Sequence, residues 1–332
     1  MMCYFDNLKY MAQMSSQIDK TKCISALLPI KNGSRYIEVI SKIVTANMGP
    51  LDEILVIDDG SYDSTYSELT KWANFDNRVR LIKNSGSGLV SALNLGVREA
   101  SNEWIARFDV DDDYPNDRIQ RQISRIEKNT VAVFSDYEFI TSTGKSLGVI
   151  PSPINPLAVA ISLMESRRTA HPSVIFNKQA FESVGGYRER DFPAEDLSLW
   201  LRLTRIGNLI STPDKLLRYQ LHKNSISSQM AKNIYKIKQE MVSTIRLQNS
   251  VILQTIDSFE EILNSYDAYN YSSERKTLLT KEIFTALSIN KILEKKSFLK
   301  TVANSSFKLG DLINSRQIFK EALFRKIYRS LI

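Results

Sequence analysis

The chain predicts an α/β protein: a mainly parallel sheet covered by helices, followed by a basic helical extension. Three observations carry this. Over the first two-thirds of the 332 residues, short β-branched and aliphatic runs alternate with helix-period segments. Two carboxylate clusters, Asp58-Asp59 and Asp109 to Asp113, fall where strands end. In open parallel sheets ligands bind outside the carboxyl ends of the strands. After Ser228 the strand pattern stops.

Taken in order, Cys23–Ile30, Glu53–Ile57, Val79–Lys83, Trp104–Phe108 and Val131–Ile140 read as strands from their dense apolar content. Between them Ser34–Ala46, Ser64–Ala73, Leu89–Ala100 and Arg118–Lys128 carry helical spacing. From Pro151 the pattern becomes a helix (Pro156–Met164), a strand (Ser173–Phe176) and a helix ending at Gly185-Gly186. A further helix, Glu195–Arg205, and short strands up to His222 complete it. The expected organisation is an N-terminal extension at 1–21, an α/β domain at 22–228 and a basic helical region at 229–332.

Composition excludes several classes. With 43% hydrophobic and 24% charged residues the chain is of ordinary globular type. Cys3 and Cys23 form no CxxC pair, which argues against a zinc site or a disulfide scaffold. No apolar run approaches the roughly 18–20 residues of a membrane span. Residues 1–21 lack the apolar core of a secretion signal, so a cytoplasmic protein is expected. The net charge of +7 is uneven. Residues 229–332 hold 17 Lys/Arg against 10 Asp/Glu, and residues 1–228 are balanced at 27 each. Such a basic region suits an anionic partner.

Four carboxylates crowd the end of Trp104-Ile-Ala-Arg-Phe-Asp-Val-Asp-Asp-Asp113. Clustered like charges cost free energy unless a cation or several donors sit among them. Hard oxygen ligands suit Mg²⁺ or Mn²⁺ shared with the phosphates of a substrate. An acidic loop capping a helix from Pro115 accounts for the same residues. Asp58-Asp59-Gly60-Ser61 fits carboxylates that accept from a nucleobase or ribose, and equally a polar turn with an N-cap. The loop Asn84-Ser-Gly-Ser-Gly88 opens a helix, where backbone amides can hold phosphate. Glu195-Asp196 begins an amphipathic helix, placed either to stabilise that helix or to act as a general base. Of the two histidines, His171 reads as structural. His222, just past a strand and beside a lysine, could complete a metal or diphosphate site.

The ordered set Ser25-Ala-Leu-Leu-Pro-Ile-Lys-Asn-Gly33, Ile57-Asp-Asp-Gly-Ser61, Ala92-Leu-Asn-Leu-Gly96, Phe108-Asp-Val-Asp-Asp112, Pro115-Asn-Asp-Arg118, His171-Pro-Ser173, Gly185-Gly-Tyr187, Glu195-Asp196 and Tyr219 to His222 resembles family 2 of the glycosyltransferases across residues 22–228. The resemblance implies the GT-A fold and inverting transfer from a nucleotide-sugar, UDP-linked, with Mn²⁺ or Mg²⁺. It implies nucleotide contacts at Pro29, Asn32, Asp58 and Asp59, the last on the base. Asp109 then lies near the ribose, Asp111 on the metal with His222, and Asp196 serves as base. Ile30-Lys31 departs from the family, which usually carries an aromatic before the Asn. The implied acceptor is a glycan of O-antigen, capsule or similar surface polysaccharide, carried on a polyprenyl diphosphate at the cytoplasmic face of the inner membrane.

Two rivals bear on the same residues. A nucleotidyltransferase would place a glycine-rich phosphate loop after the first strand, but Lys31-Asn-Gly-Ser-Arg35 has one glycine. A nucleic-acid-binding protein would use the basic tail, but no nucleic-acid motif accompanies Phe319, Phe324 and Tyr328, and no nucleic-acid partner is expected. Around 311–332, Ile318, Phe319, Ala322, Leu323, Ile327 and Leu331 form a stripe, with Lys320, Arg325, Lys326 and Arg329 off it. That pattern suits a helix packed on the catalytic domain or a peripheral contact with anionic lipid. On the lipid reading, the full chain co-sediments with anionic liposomes, salt weakens the binding, and truncation at about Lys308 abolishes it. A chain that ignores such liposomes at low salt leaves the stripe as packing.

Overall fold

The computed structural model describes residues 23–164 and 169–221. The expected extensions at 1–21 and 229–332, and His222, lie outside the described residues. The elements run β1 (Ile24–Ile30), α1 (Ser34–Asn47), β2 (Glu53–Asp58), α2 (Thr65–Phe75), β3 (Val79–Lys83), α3 (Leu89–Glu99), β4 (Trp104–Arg107), α4 (Arg118–Ile123), β5 (Thr130–Ile140), β6 (Ser146–Ile150), α5 (Pro156–Met164), β7 (Ile175–Asn177), α6 (Lys178–Ser183), α7 (Glu195–Leu203) and β8 (Asn208–Gln220). Single 3₁₀ turns cover His171–Ser173 and Glu189–Asp191.

The strands form one sheet in the order β3-β2-β1-β4-β7-β5, with β6 and β8 both on β5. β1 to β4 are mutually parallel, β7 is reversed between β4 and β5, and β8 runs parallel to β5. The expected mainly parallel sheet is therefore present. β1 and β2 are buried along their whole length, which explains why they read as unbroken apolar runs rather than alternating ones. Period-2 geometry sends Leu27, Leu55 and Ile57 to one face, with α3 and α7, and Leu28, Ile54 and Val56 to the other, with α1 and α2.

Four boundaries differ from the sequence expectation. The helix from Arg118 stops at Ile123 rather than Lys128, because Glu127 N–H donates to Thr130 Oγ1 and Asn129 takes a φ of 67°. The capped-helix start at Pro115 gives way to a turn that leads into Arg118. His171–Ser173 is a 3₁₀ turn, so β7 begins only at Ile175. The short strands before residue 222 are one 13-residue strand, β8, whose register against β5 shifts between Ser135 and Tyr137, opposite Pro213 and Asp214. A proline cannot donate to a ladder and is tolerated at such an irregularity. The hairpin strand β6 has no counterpart in the sequence reading.

Among the described residues no helix is long and apolar enough to cross a membrane. Helix α3 lies so close to β1 that a Cβ on Gly96 would stand 2.1 Å from Leu27 Cδ1. Glycine to alanine inside a helix ordinarily gains about 1 kcal/mol, and overfilling a packed core costs about 1–3 kcal/mol. Leu27 is fully buried, so its side chain yields only by displacing packed neighbours. The steric cost wins, and Gly96→Ala is expected to lower the urea midpoint. A midpoint at or above the parent's would show that the α3–β1 contact is looser than described.

Candidate active site

The parallel strands β1, β2 and β4 end at the same edge of the sheet, and the polar groups gather there. Pro29 is buried in β1, in register with Ile57. It pairs beyond the end of β4, since Phe108 N–H donates to Leu27 O and the pairing stops at Arg107. A residue without an N–H therefore breaks no ladder there. Asn32 sits at φ 51°, a conformation asparagine tolerates. Its N–H donates to Ser61 Oγ (2.9 Å) and its Oδ1 accepts from Tyr62 N–H (3.0 Å), tying the loop after β1 to the loop after β2. Asp58 is buried, its carboxylate accepting from Ser61 N–H at 3.4 Å. Asp59 is buried too. Its Oδ1 accepts from Asn84 Nδ2 (2.7 Å) and Gly88 N–H (3.3 Å), and Lys31 Nζ lies 3.8 Å from Oδ2. The loop at 84–88 thus closes on the Asp58-Asp59 turn. A Cβ on Gly60, which has φ 71°, would come within 3.1 Å of Gly86 Cα.

The acidic loop after β4 stands on buried aromatic and cationic groups. Arg107 is 1% exposed; its guanidinium donates to Asp109 Oδ1 (2.6 Å) and to Phe108 O. Asp109 N–H donates to the hydroxyl of Tyr114, whose ring packs edge-on against Phe108 at 4.8 Å. Beneath them the buried Arg118 lies over both rings, at 4.4 and 4.7 Å, and burial brings its pKa down to about 10. Burial raises the carboxyl pKa of Asp109, Arg107 opposes the rise, and Asp111 adds to it. Burial and then the charges of Asp111 and Asp109 push Asp112 well up.

The third group comes from the second half of the chain. Asp196 lies on the first turn of α7, its Oδ1 accepting from Leu197 N–H at 2.7 Å, next to the buried Glu195. The turn before it is fixed from several sides. Asn94 of α3 donates to Tyr187 O (2.9 Å) and accepts from Tyr187 N–H (3.0 Å). Arg202 of α7 donates to Gly186 O (2.7 Å) and Val184 O. His171 Nε2 bonds the Tyr187 hydroxyl at 2.7 Å. Gly186 has φ 61° and a Cβ there would meet Asn94 Oδ1 at 2.9 Å, so the position requires glycine. Burial raises the Tyr187 hydroxyl pKa, Arg107 opposes this, and Glu195, Asp196 and Asp109 add to it. One tyrosine therefore senses the acidic loop and the Glu195-Asp196 pair together.

Pro29, Asn32, Asp58, Asp59, Asp109 and Asp111 thus lie on adjoining strand ends and loops. Tyr187 and Arg107 link that edge to Asp196. Sequence reasoning gave no role to Arg107, Tyr114, Arg118, Asn94, Arg202 or the partnership of His171, although Asn94, Arg118 and His171 lie in the motifs that carry the resemblance. For Arg107 there was a signal: a cation inside a run that otherwise reads as a buried strand. Among the described residues no three carboxylate, histidine or cysteine side chains converge into a ready cation cage. The donor set still fits a hard divalent ion. Among the described residues it is oxygen-only, and burial, with neighbouring carboxylates adding to it, raises the carboxyl pKa of Asp109 and Asp112. Mg²⁺ is commonly bound by one or two carboxylates plus substrate phosphates.

An open α/β sheet with its polar groups at the strand carboxyl ends belongs to the ligand-binding α/β class. Comparison with known proteins gives the family. The model described as Glycosyl transferase family 2 matches residues 25–180. The chain is 31% identical over 290 residues to an uncharacterized glycosyltransferase of Haemophilus influenzae, covering 77% of this chain and 88% of that one. It is 28% identical over 190 residues to the amylovoran biosynthesis glycosyltransferase AmsE of Erwinia amylovora, covering 56% and 70%. Two rickettsial relatives are longer proteins, of which the chain spans 36% and 37%. Among solved structures, S. aureus TarS 1-349 in complex with UDP superposes with TM-score 0.56 at 16% identity, over 93% of this chain and 91% of that one. The chain belongs to glycosyl transferase family 2 and is a glycosyltransferase of GT-A fold.

Burial, the charge of Arg107 and, in opposition, Asp196 bring the His171 pKa down to about 3. The histidine is therefore neutral in the folded protein at any ordinary pH. Unfolding frees it to titrate near 6.5, so its contribution to stability is full above about pH 6.5 and falls as pH drops toward 3, by up to about 1.4 kcal/mol per unit. His171→Asn is expected to unfold with a shallower pH dependence between 6.5 and 3, read as the parent-minus-variant slope of urea stability. Equal slopes would mean that His171 is not buried neutral.

Proposed function

We propose that the protein transfers a sugar, with inversion, from a UDP-sugar to a glycan hydroxyl in the assembly of a bacterial surface polysaccharide. The observation that carries this reading is the meeting at one sheet edge of a buried carboxylate pair after β2, a second cluster after β4 and a lone carboxylate pair on α7. Support for the donor comes from the fold shared with TarS, which was solved with UDP. Support for the polymer comes from AmsE, whose name gives it a biosynthetic polysaccharide role.

In this reading Asp59 accepts from the base, the Asn84–Gly88 loop closes over it, and Asp109 accepts from the ribose. Asp111, with His222, would hold Mg²⁺ or Mn²⁺, which when bound neutralises charge on the departing diphosphate. Asp196 takes the proton from the acceptor hydroxyl as that oxygen attacks the anomeric carbon from the face opposite the leaving group. One displacement requires one base and no enzyme nucleophile. That fits a single carboxylate pair on α7 better than two opposed carboxylates of glycosidase type. A polyprenyl-diphosphate-linked acceptor and contact with anionic membrane belong to the same proposal.

Two substitutions test it. Asp196→Asn is expected to lose about 10²–10⁴-fold in turnover while binding UDP as the parent does. Asp111→Asn is expected to lose metal-dependent transfer with the fold intact by circular dichroism. Parent-like turnover of Asp111→Asn would remove the metal assignment. A collapse of donor affinity with turnover of bound donor preserved would move the base away from Asp196.

A further inference from the structure

Between Phe108 and Asp117 the acidic loop belongs to no helix or strand, and its one bridge residue is Asp113. What holds it comes largely from β8, the strand that pairs with β5 alone among the described strands. Asp113 and Arg218 exchange both backbone hydrogen bonds, at 3.1 and 2.8 Å. Their side chains also pair, at 2.8 Å, but 44% and 38% exposed, so the ion pair itself contributes little. Asp112 is different. It is 6% exposed, and its Oδ1 accepts from Gln220 N–H at 2.9 Å. Its Oδ2 is buried with no hydrogen-bond partner.

We propose that Asp112 is a positioning residue, whose bond to the Gln220 N–H fixes the acidic loop to the end of β8 and thereby sets where Asp111 stands. The proposal rests on the reading of Asp111 given above. Two points favour it. Asp112 is directly bonded to Asp111 in sequence, so its anchor limits the neighbour's backbone at once. Residues 218 and 220, two apart on a strand, present their N–H groups to the same side, and both face the loop. The last residues of β8 therefore act as a short rail along which 112 and 113 are pinned. Ligand-orienting partners of this kind commonly change metal affinity when they are removed.

The bond can be cut from either end. Asp112→Ala removes the acceptor, and Gln220→Pro removes the donor without touching a charge. Because that N–H faces the loop rather than β5, the β5–β8 ladder survives the proline. Asp112→Asn keeps an acceptor oxygen and drops the charge. Hydrogen exchange on the full chain reads the tie without any ligand. Asp112→Ala and Gln220→Pro are each expected to speed exchange of the loop amides at 109–113 by about tenfold. The double variant should be no faster than either single one, and Asp112→Asn should stay near the parent. Calorimetry with Mn²⁺ and UDP should then show about tenfold weaker metal binding in both cut variants. Parent-like loop exchange in Asp112→Ala or Gln220→Pro, or fully additive effects in the double variant, overturns the proposal. A parent protein that fails to bind Mn²⁺ with UDP overturns the reading of Asp111 instead, and exchange alone then decides the tie. Should Asp112→Ala lose protection in β1 and β2 as well, the Gln220→Pro variant decides.

Discussion

The architecture depends on one buried charge, the guanidinium of Arg107. It sits in a strand that has no other reason to hold a cation, and it lies where three carboxyl groups would otherwise repel one another. Its ion pair with Asp109 limits the rise in that group's pKa, and its charge helps keep His171 neutral. Burying a guanidinium is expensive unless it is paired and hydrogen-bonded. Arg107 meets that condition in part, through Asp109 and the Phe108 carbonyl, while its Nε–H is buried without a partner. The acids of the first half and the tyrosine–histidine pair of the second thus feel one cation, which favours ionised Asp109 and disfavours protonated His171.

Around that charge the fold uses rigid supports rather than long loops. Phe108, Tyr114 and Arg118 form a stacked floor below the acidic loop. Gln122 of α4 bridges the carbonyls of Val133 and Ser173, both at 2.8 Å. Asn94 and Arg202 grip the Gly185–Tyr187 turn from two helices. Each grip uses a side-chain amide or guanidinium on a main-chain group, which fixes position, and of these only the guanidinium brings a charge.

The sheet was legible because its strands are buried on both faces, which leaves uninterrupted apolar runs, and because turn residues separate them. Helices α1, α2 and α3 were legible from helical spacing, and their ends were found to within a residue or two. The end of α4 was not, since Thr130 captures Glu127 N–H through a contact that no local pattern announces. β6 was hidden because it is short and half-exposed, so its composition resembles a loop. In the site, the acids were legible by their position at strand ends. Asn94 was not, because its partner is 93 positions away in sequence. Arg118 read as the start of a helix and the end of the Pro115–Arg118 motif, and only the tertiary fold reveals that it is buried.

The reversed strand β7 has a consequence for how the molecule holds together. It is three residues long, and it joins β1–β4 to β5–β8 through three registered pairs on one side and two on the other. On one bank of this seam the chain from 24 to 107 is contiguous. Apart from β4 on β7, its strands pair only with one another, and it carries Asp58 and Asp59 at the end of β2. The other bank carries the α7 carboxylates. Cooperative units tend to follow such divisions, and their boundaries open at a lower free energy than their interiors. The spacing between the Asp58-Asp59 pair and the α7 pair thus crosses the most sparsely paired line in the sheet, and opening along that line changes the reach between them before it disturbs either bank.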